Sequence, residues 1–341
     1  MLLFLSIAFV SAAVPAVASA AEAPPGLGKC SEVIDVLVQS GDRTVVFANT
    51  RECSANYDTA KNIAFRLTTN GEVDPSFGQD GVMAVDASDI WKIARTPGDG
   101  MLLATEIGIL KFNSEGHPAS DFGVQGQVPI ITGTLAVSPE GRIAVTDNAA
   151  GGGIRILNPD GSPDQSFNGG TPLLPNVELP DQPNLREVQP RSVTFAADGG
   201  VIGIYYTKPY PYNHSVGVFK VTPQGAADMS FGGGDGSVLI PGTVPSAGAD
   251  WIWDIVGIHQ LDDGSIQAFG DGNYMLGSSS NPGSWLLSIA ADGTSSSKAS
   301  VGIAADFAAW PNGKVAVAET PAEFYTEINP LDGNLAASRF L

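Results

Sequence analysis

Two short stretches hold most of the side chains that could do chemistry. One is Tyr205-Tyr206-Thr207-Lys208-Pro209-Tyr210-Pro211-Tyr212-Asn213-His214; the other is Asp250-Trp251-Ile252-Trp253-Asp254. Asp89 followed by Trp91 repeats the second pattern earlier in the chain. Aromatic rings beside carboxylates can stack on a sugar ring or hold a cation. The same rings can also pack loops or plug a channel. The candidate ligand residues are therefore Asp89, Trp91, Tyr210, Tyr212, His214, Asp250, Trp251, Trp253 and Asp254. Pro209 and Pro211 stiffen the tyrosine stretch, which reduces the entropy lost on binding. His214 with Asp250 or Asp254 would make an acid–base pair if their loops meet. Asp89, Asp250 and Asp254 could chelate Ca²⁺; no other cofactor is implied.

The familiar catalytic signatures are absent. There is no G-x-S-x-G elbow, no H-E-x-x-H, no Walker loop and no EF-hand loop. His117, His214 and His259 lie too far apart in the repeat pattern for a three-His metal site. No residue is assignable as catalytic. The expectation is a non-catalytic binding or scaffolding protein for a small molecule, glycan or protein. The alternative is a hydrolase or lyase acting on a sugar or lactone.

These side chains need a frame, and the frame is visible as a repeat. Residues 69–78, TNGEVDPSFG, return as 158–167, NPDGSPDQSF, and as 222–232, TPQGAADMSFG. A worn copy runs from Ser114-Glu115-Gly116 to Phe122-Gly123, and decayed ones sit at Asp292-Gly293 and Asp332-Gly333. The glycines at 71, 116, 161, 225, 293 and 333 are spaced by 45, 45, 64, 68 and 40 residues. Periods of this size mark propellers and solenoids. Interleaved with that phrase is an apolar run, a short polar turn and a second apolar run. Its turns are Ser40-Gly41-Asp42, Gly98-Asp99-Gly100, Pro139-Glu140-Gly141, Asp198-Gly199-Gly200, Asp262-Asp263-Gly264 and Asn312-Gly313. Each offers a residue that tolerates positive φ, as tight hairpins require. Two hairpins per unit give four strands per unit. The expected fold is all-β, a six-bladed β-propeller of four-stranded antiparallel blades, with a seventh blade if the segment after the leader contributes one.

Within the repeat, Asp74, Asp164 and Asp228 are placed for Asx-turns. Phe77, Phe122, Phe167 and Phe231 are placed as buried anchors between neighbouring units. The last unit has sequence for three strands and a turn, so its fourth strand is expected from residues 26–29 as a latch. Long insertions at 49–62, 176–190, 207–215, 241–250 and 270–284 all map to one face, where loops carry function.

The D-G-x-x-D-x-S-F-G core at 72–78, 162–167 and 226–232, with the hairpin phrases Asn312-Gly313-Lys314-Val315 and Glu140-Gly141-Arg142-Ile143, resembles the delta-60 repeat, a bacterial propeller-like repeat. The resemblance covers roughly 31–341 and implies a repeat type rather than an activity.

Composition agrees with this reading. The 341 residues include 41 Gly and 24 Pro, with 43% hydrophobic and only 16% charged side chains. That excludes a coiled coil and a disordered chain. A net charge of −19 argues against nucleic-acid binding and for a soluble monomer. Residues 1–20 form an apolar leader ending Ala18-Ser19-Ala20, the pattern of a secretory cleavage site. The alternative is an uncleaved anchor. The expected organisation is a signal peptide, 1–20, and one propeller domain, 21–341, periplasmic or secreted, with no membrane span after cleavage. In such a compartment Cys30 and Cys53 are expected to form a disulfide worth ~3 kcal/mol; two buried thiols are the alternative.

Overall fold

Each polar turn folds one apolar run back on the next, and the result is a series of meandering sheets. The computed structural model describes residues 27, 31–50, 61–147, 152–175, 188–207, 216–240, 251–276, 279–300, 304–309, 315–319, 325–328 and 335–338. The first sheet is β1 Glu32–Gln39, β2 Arg43–Thr50, β3 Lys61–Leu67 and β4 Val82–Val85. The second is β5 Ile90–Arg95, β6 Met101–Thr105, β7 Gly108–Phe112 and β8 Gln127–Val128. The third has three strands, β9 Ala136–Val137, β10 Ile143–Asp147 and β11 Gly153–Leu157. The fourth is β12 Val188–Phe195, β13 Val201–Thr207, β14 Val216–Val221 and β15 Ser237–Leu239. The fifth is β16 Trp251–Gln260, β17 Ile266–Leu276, β18 Ser279–Ile289 and β19 Ser296–Ser300. The sixth is β20 Ala304–Ala309, β21 Val315–Glu319, β22 Tyr325–Ile328 and β23 Leu335–Ser338. Strand order within every sheet follows chain order, and among the described residues no sheet closes into a barrel. These are sheets of the propeller-blade kind.

Three expectations are corrected. Among the described residues the third sheet has three strands rather than four; its outer position is held by a single bridge from Ile154 to Leu173. The sixth sheet supplies its own outer strand, because β23 pairs with β22, so the latch from 26–29 is not needed there. Residues 270–284 are not an open insertion. They lengthen β17 and β18 into an eleven-row hairpin running from Ile266↔Ile289 to Leu276↔Ser279.

The chain packs as two compact units, residues 1–143 with 158–162, and 144–157 with 163–341. In the first unit, Val45, Phe47, Ala64, Met83, Met101 and Leu103 form one core with Phe77. In the second, Ile202, Ile204, Val218, Ala268, Trp285 and Leu287 form another with Phe231. Second strands are apolar without alternation, as in Val45-Val46-Phe47-Ala48, all at or below 1% exposure. A strand covered on both faces has no side on which polar residues would be favoured.

The repeat phrase rivets successive sheets within each unit. Phe77, Phe122, Phe167 and Phe231 are at most 1% exposed, as expected of anchors. The residue after each Phe donates its N–H to the next repeat: Gly78 to Glu115 O, Gly123 to Asp160 O, Asn168 to Gln224 O and Gly232 to Asp292 O, at 2.7–3.0 Å. The next repeat's glycine lies on the Phe ring. A Cβ on Gly116 would come 2.9 Å from the Phe77 ring, and one on Gly161 2.9 Å from the Phe122 ring. With φ near +80° at both positions, glycine satisfies two demands at once.

The repeat aspartates serve the turns. Ser76, Ser166 and Ser230 each donate N–H to Oδ1 of the Asp two residues earlier, at 2.9–3.0 Å, and each hydroxyl donates to the same oxygen at 2.6 Å. Asp74 and Asp228 also hold a basic side chain of their sheet's third strand. Arg66 is 2.8 Å from Asp74 and 2.8 Å from Glu115, and Lys220 is 2.8 Å from Asp228 and 3.1 Å from Asp198.

Candidate functional site

In a four-stranded meander, the start of the first strand, the turn between strands two and three, and the connection to the next sheet share one end. The first strands are irregular at that end. Each four-stranded sheet has a β-bulge in the opening residues of its first strand: Ile34 in β1, Trp91 in β5, Arg191 in β12, Trp253 in β16 and Ala305 in β20 are the extra residues. A bulge re-aims a side chain out of the ladder, and bulges gather beside functional sites. Two of the three tryptophans singled out from sequence, Trp91 and Trp253, therefore occupy the same structural position in different sheets.

In the first unit, Trp91 is 45% exposed and Ile34, at the corresponding bulge of the adjacent strand β1, is 37% exposed. Asp89, two residues before Trp91, is exposed. Glu106, on the turn between β6 and β7, organises this end. Its carboxylate accepts the N–H of Ser88 at 2.6 Å, the Ser88 hydroxyl at 2.9 Å and the N–H of Asp89 at 3.0 Å. Burial opposes ionisation of Glu106, but these donors outweigh it and hold its pKa below the usual range. Glu106 is a positioning group that no motif marks. Only the fold brings residue 106 to residues 88 and 89.

In the second unit the backbone places the other candidates. Trp251 pairs in register with Asn273, Trp253 is the bulge, and Asp254 stands directly opposite Asp271 on β17. Two aspartates thus occupy one cross-strand position beside an aromatic bulge. Asp271 carries no sequence signal, because its partner is set by the bulged register. A second bulge, between Ile255 and Gly257, follows within three residues. The strand next to β16 is β12, whose bulge residue is Arg191. The Arg191 guanidinium lies over the Tyr206 ring, 5.4 Å from its centroid.

Tyr210, Tyr212, His214 and Asp250 lie outside the described residues, as do Cys30 and Cys53. The first two tyrosines of that stretch are core residues: Tyr205 and Tyr206 on β13 are 0% and 3% exposed. The Tyr205 hydroxyl donates to Val238 O at 3.4 Å, and burial pushes its phenol well above the ordinary value. His259 stacks on Phe269, with ring centroids 5.7 Å apart. Burial pushes its imidazole below the ordinary value, against a side-chain hydrogen bond with Gln267. His117 is exposed, just after the turn at 114–116. Among the described residues, no group of three or more His, Cys, Asp and Glu gathers to hold a metal, and no helix is long and apolar enough to cross a membrane.

No family model matches the chain, and no curated protein matches it. Solved structures do. The extracellular domain of a hybrid two-component system from B. thetaiotaomicron is 13% identical, with a TM-score of 0.49; the match covers 91% of this chain and 33% of that one, so this chain spans a third of its length. A catalytically inactive virginiamycin B lyase from Staphylococcus aureus is 12% identical, with a TM-score of 0.47 and coverage of 91% and 84%. A gluconolactonase from Xanthomonas campestris is 11% identical, with a TM-score of 0.40 and coverage of 90% and 88%. Enzymes thus stand among the similar structures, and the leaning of the sequence reading toward a protein without catalysis is withdrawn. At these identities the likeness is one of fold: the chain is similar to propeller-like proteins built of repeated antiparallel sheets.

Proposed function

We propose that this chain is an exported β-propeller of six blades, one for each sheet and built on delta-60-type repeats, that acts as a hydrolase or lyase on a sugar or sugar lactone. The observation that carries the reading is the register of β16 on β17, which sets Asp254 opposite Asp271 at the bulge of Trp253. Opposed residues on one face of an antiparallel pair have Cβ atoms about 4.5–5.5 Å apart. Like charges at that position destabilise a sheet, so a sequence that keeps both is expected to use them. Two adjacent carboxyl groups supply the acid and the base that bond cleavage at a sugar or lactone needs. One donates a proton to the departing oxygen. The other takes a proton from water in hydrolysis, or from carbon in elimination. Trp253 and Trp251 supply the platform for the ring.

The test is a screen of sugar lactones, glycosides and uronic-acid polymers with the full chain. Asp254→Asn and Asp271→Asn are each expected to lower turnover at least a hundredfold with the melting temperature kept. Met229→Ala, at an exposed position of the repeat turn, is expected to leave turnover within twofold. Full turnover in both aspartate variants, or no turnover of any member of the panel, overturns the reading.

A further inference from the structure

Among the described residues nine large apolar side chains stand exposed, and five of them, Val33, Ile34, Trp91, Ile107 and Ile131, are gathered at one end of the first unit. The hydrogen bonds show why these five share an end. Strands β1 and β5 are neighbours that run the same way, because Arg95, which closes β5, donates to Ser40 Oγ, just past β1, at 3.0 Å. Their opening residues, Val33 with Ile34 and Trp91, therefore lie together at the other end. Glu106 ties the turn that carries Ile107 to Ser88 and Asp89, which lead into β5. Gln127 Nε2 donates to Ile107 O at 2.7 Å, and the chain leaving β8 beside it runs through Pro129 to Ile131.

Single exposed apolar residues are ordinary, but a gathered set marks a contact surface. The same unit buries Val45, Phe47, Met101 and Leu103 completely. Threonine at 33 and 34 would match the strand preference without the exposed methyl surface, so the backbone does not require Val and Ile there. Charges at this end, among the described residues, include Glu32, Asp86, Asp89 and Glu106 against Lys61 and Lys92; the pairs Glu32↔Asn49, Thr50↔Lys61 and Asn62↔Val85 bring the strand ends together. The balance is acidic, as is that of the whole chain at −19. Such a surface repels a second copy of this chain and an anionic membrane alike. It steers a basic partner in.

We infer that this end of the first unit is a docking surface for a basic segment of another protein, whose aliphatic or aromatic side chains cover the five exposed residues while its lysines or arginines face the carboxylates. A basic side chain laid on the Trp91 face adds a cation–π contact. The inference uses neither Asp254 nor Asp271 and does not depend on the catalytic reading.

Fluorescence anisotropy of a labelled octapeptide alternating leucine and lysine, titrated with the full chain, reads the docking. It is expected to bind at least tenfold more tightly than an octapeptide alternating serine and lysine, or one alternating leucine and glutamate. Trp91→Ser and Ile34→Ser are each expected to weaken binding at least fivefold with the melting temperature kept. Val124→Ser, at an exposed apolar position on the connection between β7 and β8, should leave it within twofold. The comparison of the three peptides needs no variant, so it stands even if a substitution unfolds the chain. Equal affinity for the serine–lysine peptide overturns the inference by showing mere adsorption to an acidic chain. Equal affinity for the leucine–glutamate peptide overturns it by showing no preference for a base. Undiminished binding in both Trp91→Ser and Ile34→Ser, an equal loss in Val124→Ser, or no binding of the leucine–lysine peptide does the same. A dimer in sedimentation that Trp91→Ser abolishes would assign the surface to a second copy, and tighter binding of phosphatidylglycerol vesicles than of the peptide would assign it to a membrane; either overturns the inference.

Discussion

Arg66 shows how much one side chain can bind together. It is 1% exposed, and its guanidinium donates to Asp74, Glu115, Ser76 Oγ, Gln39 Oε1 and Ser114 O while lying 5.1 Å from the Phe77 ring centroid. Burial opposes its charge, but the hydrogen bonds it donates to Glu115 and Asp74 raise its pKa above the ordinary value. Removing one partner of such a cluster leaves the others buried and uncompensated. Arg66→Ala is expected to lower stability by about 3–5 kcal/mol, read as a shifted urea midpoint with an unchanged slope. The residue was not singled out from sequence. The Asx role of Asp74 is legible from D-x-S, because the partner is two residues away. Its second role, as counter-ion to a strand residue eight positions back and neighbour to a repeat forty residues on, depends on the packed sheets.

At the scale of elements, the repeat phrase is a rivet made of one ring, one glycine and one backbone hydrogen bond. Gly71 and Gly116 separate its two demands. Both have φ near +80°, but a Cβ on Gly71 meets nothing within 4 Å, whereas one on Gly116 would strike the Phe77 ring. Gly71→Ala is expected to cost about 1 kcal/mol from backbone strain alone. Gly116→Ala adds overpacking and is expected to cost roughly 1–3 kcal/mol more. Equal melting temperatures for the two variants would remove the ring contact from the account of the seam. The hairpins and the phenylalanine anchors are legible in sequence because turn chemistry and burial are local preferences. The bulges of the first strands are not, since a bulge exists only relative to the partner strand.

For the whole molecule the charge pattern fixes the response to acid. Asp74 is held below its ordinary pKa first by the Ser76 hydroxyl, and Glu115 first by the Arg66 guanidinium. At Glu106, Asp99 and Asp228 burial opposes ionisation, but backbone donors and basic partners outweigh it. A carboxylate with a depressed folded pKa contributes stability that is complete above its unfolded pKa and is lost as pH falls through the folded one. Stability is therefore expected to be level near neutrality and to decline below about pH 5. In Arg66→Ala the decline should be shallower, because Asp74 and Glu115 then lose a cause of their depression. A steeper decline in that variant, measured by melting temperature against pH, would contradict these assignments.

The amino-acid sequence alone determined the all-β class, the repeat, the turn positions and the anchor residues, because each rests on contacts within about ten residues or on burial that composition reveals. It also placed Trp91, Trp253 and Asp254 among the candidates. Tertiary structure decided that the two tryptophans share a bulge position, that Asp254 faces Asp271, that Arg191 takes the same place on an adjacent strand, and that 270–284 extends a hairpin. Register is the reason. A one-residue shift between strands changes every partner along them, and that shift is set by the sum of cross-strand packing, which no local phrase encodes.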